Sequence, residues 1–144
     1  MKFLNIIQIL IIGFILSSCT VEPVPINYGQ DACHFCKMNI VDRQHATEIV
    51  TTKGKAYKYD AIECMVQDLP NWAGTDIELY LITDYDVPGN LVDATKATYL
   101  ISENIPSPMG ANLSGFESNE KARQTQESKG GELYTWTTLK EKYK

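Results

Sequence analysis

His45-Ala-Thr-Glu-Ile-Val50-Thr-Thr-Lys-Gly-Lys55-Ala-Tyr-Lys-Tyr-Asp60-Ala-Ile-Glu-Cys-Met65-Val-Gln-Asp-Leu69 is the stretch that decides the fold. From His45 to Thr52 the chain reads as a strand, with Ala46, Glu48 and Val50 on one side and Thr47, Ile49 and Thr51 on the other. Lys53-Gly54 is a turn, and Lys55, Tyr57 and Tyr59 then alternate against Ala56 and Lys58, which predicts a β-hairpin. Asp60 is placed to cap a helix over residues 61–69 that Pro70 stops. Ile62, Met65, Val66 and Leu69 share the stripe of an amphipathic helix, which assigns Met65 to the core rather than to a ligand set. Cys64 lies off that stripe, near the outer surface or beneath a covering loop. A hairpin running into a helix argues for an α+β domain.

Further strands are predicted over residues 77–85, 97–102, 113–117 and 133–136, with a turn at Val87-Pro88-Gly89-Asn90. The loop from Glu103 to Gly110, with Pro106 and Pro108, presents Met109 beside Gly110. Ser118 is placed to cap a helix over residues 119–128 that Gly130-Gly131 ends, and a last helical turn or two follows over 138–143. Gly54 to Ile62 and Gly131 to Leu139 share a glycine, a tyrosine, a second aromatic and an aliphatic residue at the same spacing. The echo predicts a small single domain of two related strand-helix-strand units with antiparallel sheet, in which Met38 and Met109 hold comparable positions.

The chemistry concentrates in Asp31-Ala-Cys33-His34-Phe-Cys36-Lys37-Met38-Asn-Ile40, where two cysteines, a histidine and a methionine fall between positions 33 and 38. A C-x-x-C pair alone is half of a zinc site, a redox pair or a structural disulfide. The thioether of Met38 adds a soft donor that zinc rarely uses and Cu(I) accepts. His34, between the cysteines, is a further metal candidate, and the role of Cys64 stays open. The proline-interrupted approach to Cys33 is not the strand that leads into a thioredoxin-type motif. Neither His34 nor His45 has a readable nucleophile or acid partner, so nothing here argues for an enzyme.

At the N-terminus, Lys2, an apolar run from Phe3 to Leu16 and then Leu16-Ser-Ser-Cys19 read as a signal peptide with a lipobox. Cleavage would remove residues 1–18 and leave Cys19 lipidated, followed by a lipidated tether over 19–30 and a domain over 31–144. The apolar run falls short of the roughly 20 residues of a spanning helix, whereas two or three acyl chains suffice for stable attachment. The chain is therefore expected on the extracytoplasmic side, held to the membrane through the Cys19 lipid anchor. Thr20, rather than an aspartate, resembles sorting to the outer membrane, facing the periplasm where the cell has two membranes. A net charge of −5 over 144 residues without a basic cluster gives no footprint for nucleic acid.

The lipobox, Cys33 to Ile40, Tyr59 to Met65, Pro108-Met109-Gly110 and Gly130-Gly131 together resemble the NosL family, copper-binding lipoproteins of nitrous oxide reductase maturation. The resemblance spans nearly all of the chain beyond Cys19. It implies one bound Cu(I), with Cys36 and Met38 as the family's cysteine-methionine motif and Met109 from its Pro-Met-Gly element. Cys33 is then a ligand or a spare thiol, and Lys37 stands where glycine is common in the family. The implied partner is nitrous oxide reductase or its maturation machinery, served by a monomer as a copper chaperone for the copper-sulfide centre. Two other readings stay open: a scaffold lipoprotein stabilised by zinc or a disulfide through Cys33, Cys36, Cys64 and a histidine, and a thiol-disulfide oxidoreductase.

Overall fold

The computed structural model describes residues 20–144, so Cys19 and the signal sequence lie outside the described residues. β1 (Thr47–Thr51) pairs with β2 (Ala56–Tyr59), Thr47 opposite Tyr59 and Val50 opposite Ala56. Gly54 turns the hairpin at φ 78°, a left-handed conformation that suits glycine. Helix α1 (Ile62–Asp68) follows, and β3 (Ile77–Thr83) returns antiparallel along the other side of β1. The short β4 (Leu91–Asp93), which sequence reading left unassigned, extends the sheet to the order β2-β1-β3-β4.

The second half repeats this path. β5 (Thr98–Ile101) pairs with β6 (Leu113–Phe116), α2 (Asn119–Lys129) crosses over, and β7 (Glu132–Thr135) lines the free side of β5, giving β6-β5-β7. The Ser118 hydroxyl caps α2 by accepting from the Lys121 N–H, and Gly130 ends it at φ 72°. Every pairing is antiparallel, and each unit runs strand, strand, helix, strand, with β4 added in the first. The expected α+β fold of two related units is what the chain adopts.

The sequence echo, however, does not join equivalent positions. Gly54 to Ile62 is the second strand of its unit entering α1, while Gly131 to Leu139 is the third strand of its unit entering α3 (Trp136–Lys142). β2 and β7 are both edge strands that start beside a positive-φ glycine and run into a helix, and that shared duty explains the shared residues. Met38 accordingly precedes β1, whereas Met109 lies between β5 and β6. Trp136, expected at a strand end, begins α3, whose capping box is formed by Thr135 and Thr138.

One core joins the units. Ile62, Met65 and Ile82 from the first pack with Tyr99, Leu113 and Leu139 from the second, all fully buried. At Gly115 on β6 an added Cβ would come within 2.2 Å of Ile82 Cδ1, so the two sheets approach there as closely as backbone allows. The other face of β1 is covered as well. The Val24 N–H donates to Glu48 Oε1 at 2.8 Å, and the Lys58 ammonium bonds the Pro25 carbonyl at 2.7 Å and Asp31 Oδ2 at 2.6 Å. Ile26 and Tyr28 pack against the core. From Val24 onward, then, the segment expected as tether is fastened to the sheet, because buried Glu48 and half-buried Lys58 take its backbone as partner. Among the described residues no helix is long and apolar enough to cross a membrane.

Met65 sits on the buried stripe as expected. Met65→Ala should destabilise the fold by about 2 to 5 kcal/mol in denaturant titrations, without changing metal affinity in the folded fraction. Selective loss of metal from a fully stable variant would contradict this placement.

Candidate metal centre

Cys33 and Cys36 ride on a loop pinned at both ends. Ala32 and Asn39 form an isolated antiparallel bridge, the Cys33 N–H bonds the Met38 carbonyl at 2.8 Å, and the Ile40 N–H bonds the Asp31 carbonyl at 2.9 Å. The His34 N–H reaches the Lys58 carbonyl on β2 at 2.7 Å, which presses the loop onto the start of α1. There Cys33, Cys36, Asp60 and Cys64 each offer one donor atom, all within 4.8 Å of one another. The Cys36 thiol donates to Asp60 Oδ1 at 3.3 Å, and the Cys64 thiol donates to the same oxygen at 3.2 Å. Cys33 and Cys64 are each 1% exposed, while Cys36 is only half-buried and forms the edge of the cluster.

Asp60 was expected to cap α1. The cap position belongs instead to Ala61, with no side-chain bond, because the Asp60 carboxylate is turned to the two thiols. A carboxylate buried this deeply needs donors, and the thiols supply them. Sequence reading missed Asp60 as a site residue. Its four-residue spacing from Cys64, one helical turn, was the available signal. Of the two placements open to Cys64, the structure takes the one beneath a covering loop.

The three sulfurs differ in acidity. The neighbouring Cys64 thiol pulls Cys33 down to about 6, against burial and with help from the backbone N–H groups of Asp60 and Cys36. The same contact, followed by burial and Asp60, pushes Cys64 up. Burial foremost pushes Cys36 up to about 11, with Cys33 and Asp60 adding to the rise. The cluster therefore favours a thiolate at Cys33 beside two thiols, Cys36 and Cys64, whose protons a metal ion has to displace.

The remaining expected residues are placed differently. Met38 is 55% exposed and Met109 is 43% exposed, so both thioethers reach the surface. The His34 ring lies edge-on to Tyr57 at 4.8 Å, beside Trp72 at 5.8 Å, and its Nε2 is 4.0 Å from Asp68 Oδ2. Tyr59, Trp72 and Asn71 all donate to that Asp68 carboxylate. The imidazole thus belongs to an aromatic and carboxylate network, and it is not among the donors that gather in the cluster.

Residues 23–144 match the NosL family model. The chain belongs to the NosL family. The copper-binding lipoprotein NosL of Stutzerimonas stutzeri is 26% identical to it over 128 residues, which cover 79% of this chain and 64% of that protein. The chain thus spans less than two thirds of that relative's length. The crystal structure of the copper chaperone NosL from Shewanella denitrificans matches with a TM-score of 0.70 at 19% identity, over 82% of this chain and 95% of that one, and shows the same fold.

In this NosL chain the bend between Cys36 and Met38 falls on Lys37. Lys37 adopts φ 67°, and its ammonium folds back to donate to the His34 carbonyl. One arrangement outside the cluster looks catalytic at first sight: His45 Nε2 is 3.1 Å from Ser114 Oγ, and its Nδ1 is 3.1 Å from Asp42 Oδ1. Ser114 is 0% exposed on β6, so no substrate reaches its hydroxyl, and the contact braces one unit against the other.

The left-handed backbone at Lys37 carries strain of roughly 1 kcal/mol that glycine would not. Lys37→Gly should raise unfolding free energy by up to about 1 kcal/mol, whereas Lys37→Val should lower it by more than about 1 kcal/mol. Urea titration of the two variants checks the sign of each.

Proposed function

We propose that this NosL chain is a lipid-anchored Cu(I) carrier that delivers copper for assembly of the copper-sulfide centre of nitrous oxide reductase, directly or through its maturation machinery. The observation that carries the reading is a buried thiol cluster whose one half-exposed cysteine, Cys36, stands two residues from the exposed thioether of Met38. Copper is the cargo, and the names of the two relatives support it. Cys33 supplies a ready thiolate, Cys36 joins it on losing its proton, and Met38 and Met109 add thioether donors that copper accepts and zinc does not favour. Surface thioethers are also the donors that a partner's ligands displace first, so copper moves by ligand substitution and no redox step is needed. Anchored by Cys19 on the extracytoplasmic side, in the outer membrane where there are two, the domain works as a monomeric chaperone rather than an enzyme.

Asp60 favours a second reading, because three cysteine sulfurs and one carboxylate make a set of four donors, the number that a structural zinc site takes. Competition titration against a Cu(I) chelator under reducing conditions separates the two. Met38→Leu and Met109→Leu should each change stability by less than about 1.5 kcal/mol yet lower Cu(I) affinity, and Cys36→Ser should lower it further. Because Cys36 holds its proton up to about 11, affinity should rise between pH 7 and 9 by about one log unit per pH unit for each proton released, one for Cys36 and a second if Cys64 also ligates. Cys33, a thiolate above about 6, adds nothing to that slope. If both methionine variants hold Cu(I) like the parent while the cysteine variants lose zinc, the structural-zinc reading replaces the carrier.

Cys19→Ala should release the protein from the membrane fraction with copper affinity unchanged, since the anchor lies outside the domain that holds the site. A released variant that no longer binds copper would contradict the separation of anchor from site.

A further inference from the structure

The turn that carries Met109 hangs on one side chain of the other unit. The Ser107 hydroxyl donates to Glu63 Oε1, and the Ala111 N–H donates to the same oxygen at 3.3 Å. The Gly110 N–H closes the turn on the Ser107 carbonyl at 3.0 Å. Both ends of the segment 107–111 are thus bonded to a single atom, with Met109 at the centre. Glu63 is 1% exposed, stands in the first turn of α1 immediately before Cys64, and its Oε2 has no partner among the described residues. A buried carboxylate with one oxygen unsatisfied is an expensive way to hold a loop, and an apolar residue of similar size would serve stability at least as well. What a carboxylate adds is direction, since two donors converging on one oxygen fix the turn in register with the helix.

That register matters because the cluster cysteines and Met38 all come from the first unit, and Met109 alone comes from the second. We propose that Glu63 is a positioning residue for metal binding, which holds the Met109 thioether in reach of the thiols by clasping its turn to the helix that bears Cys64. The proposal rests on the reading of Met109 as a copper ligand. Glu63 touches no copper itself; it acts through Ser107 and Ala111.

The test uses the intact protein with Cu(I) alone, read by chelator competition and by the number of sulfur neighbours seen at copper in X-ray absorption. Glu63→Leu should lower affinity roughly tenfold or more and remove one sulfur from copper, while Glu63→Gln, which keeps an accepting oxygen, should stay within about threefold of the parent. Ser107→Ala, which deletes one arm of the clasp, should give a smaller loss of the same kind, and it decides the matter if Glu63→Leu fails to fold. In a Met109→Leu background neither Glu63→Leu nor Ser107→Ala should lower affinity any further. The proposal is overturned if they do, or if both single variants keep the parent's affinity and sulfur count while Met109→Leu loses them. A Met109→Leu protein that binds Cu(I) with the parent's affinity and sulfur count would instead overturn the ligand reading, and the proposal with it.

Discussion

Much of this structure follows from one carboxylate oxygen, Asp60 Oδ1, which accepts from Cys36 and Cys64 in the interior of the protein. A buried carboxylate without donors is heavily penalised, so the loop of residues 33–38 and the first turn of α1 are held where their thiols can supply them. Asp60 is thereby lost as a helix cap, and the cap position passes to Ala61, which makes no side-chain bond. Helix stability is given up locally in exchange for a cluster of four convergent donors. Local rules tend to be broken in this way at functional sites.

The cluster also explains why acidity is divided among chemically identical side chains. Three thiols crowded together do not ionise together, because each new thiolate is repelled by the last and by the Asp60 carboxylate, to which Cys36 and Cys64 donate their protons. Cys33 takes the charge, Cys64 keeps its proton, and Cys36 at the edge stays protonated until a metal ion displaces the proton. A soft cation entering such a site meets one anion at once and gains the others by exchange. This suits a carrier better than a permanent structural site, which would be closed on all sides.

The two-unit architecture gives the surface methionines their meaning. Met38 moves with the cysteine loop, whereas Met109 moves with the β5–β6 connection of the second unit. The units share one core through Ile62, Ile82 and Leu113, brace each other through His45 and Ser114, and meet again at Glu63 and Ser107. On the reading proposed above, donors drawn from both halves of a packed domain would keep a fixed separation, which would limit how far the site relaxes without its metal.

The sequence by itself determined what is local. The hairpin from His45 to Tyr59, the helix bearing Met65 on its buried stripe, the capped α2 and the α+β class follow from side-chain periodicity and turn residues, which act over a few positions. Cys33 and Cys36, which the structure brings into the cluster, were legible as candidate metal donors, with Met38 beside them, because six residues of chain hold all three. Only the tertiary structure decided the rest. Asp60 and Cys64 joined the cysteine loop from some 25 to 30 residues away, His34 went to Asp68 and the aromatic rings, and the stretch from Val24 to Asp31 was fastened over Glu48 and Lys58. Which strands of the two units correspond was also hidden, since the repeated residues mark edge strands entering helices rather than shared ancestry of position. These outcomes depend on satisfying buried polar groups, and the partners that satisfy them are chosen by how strands and helices pack, which spacing along the chain does not encode.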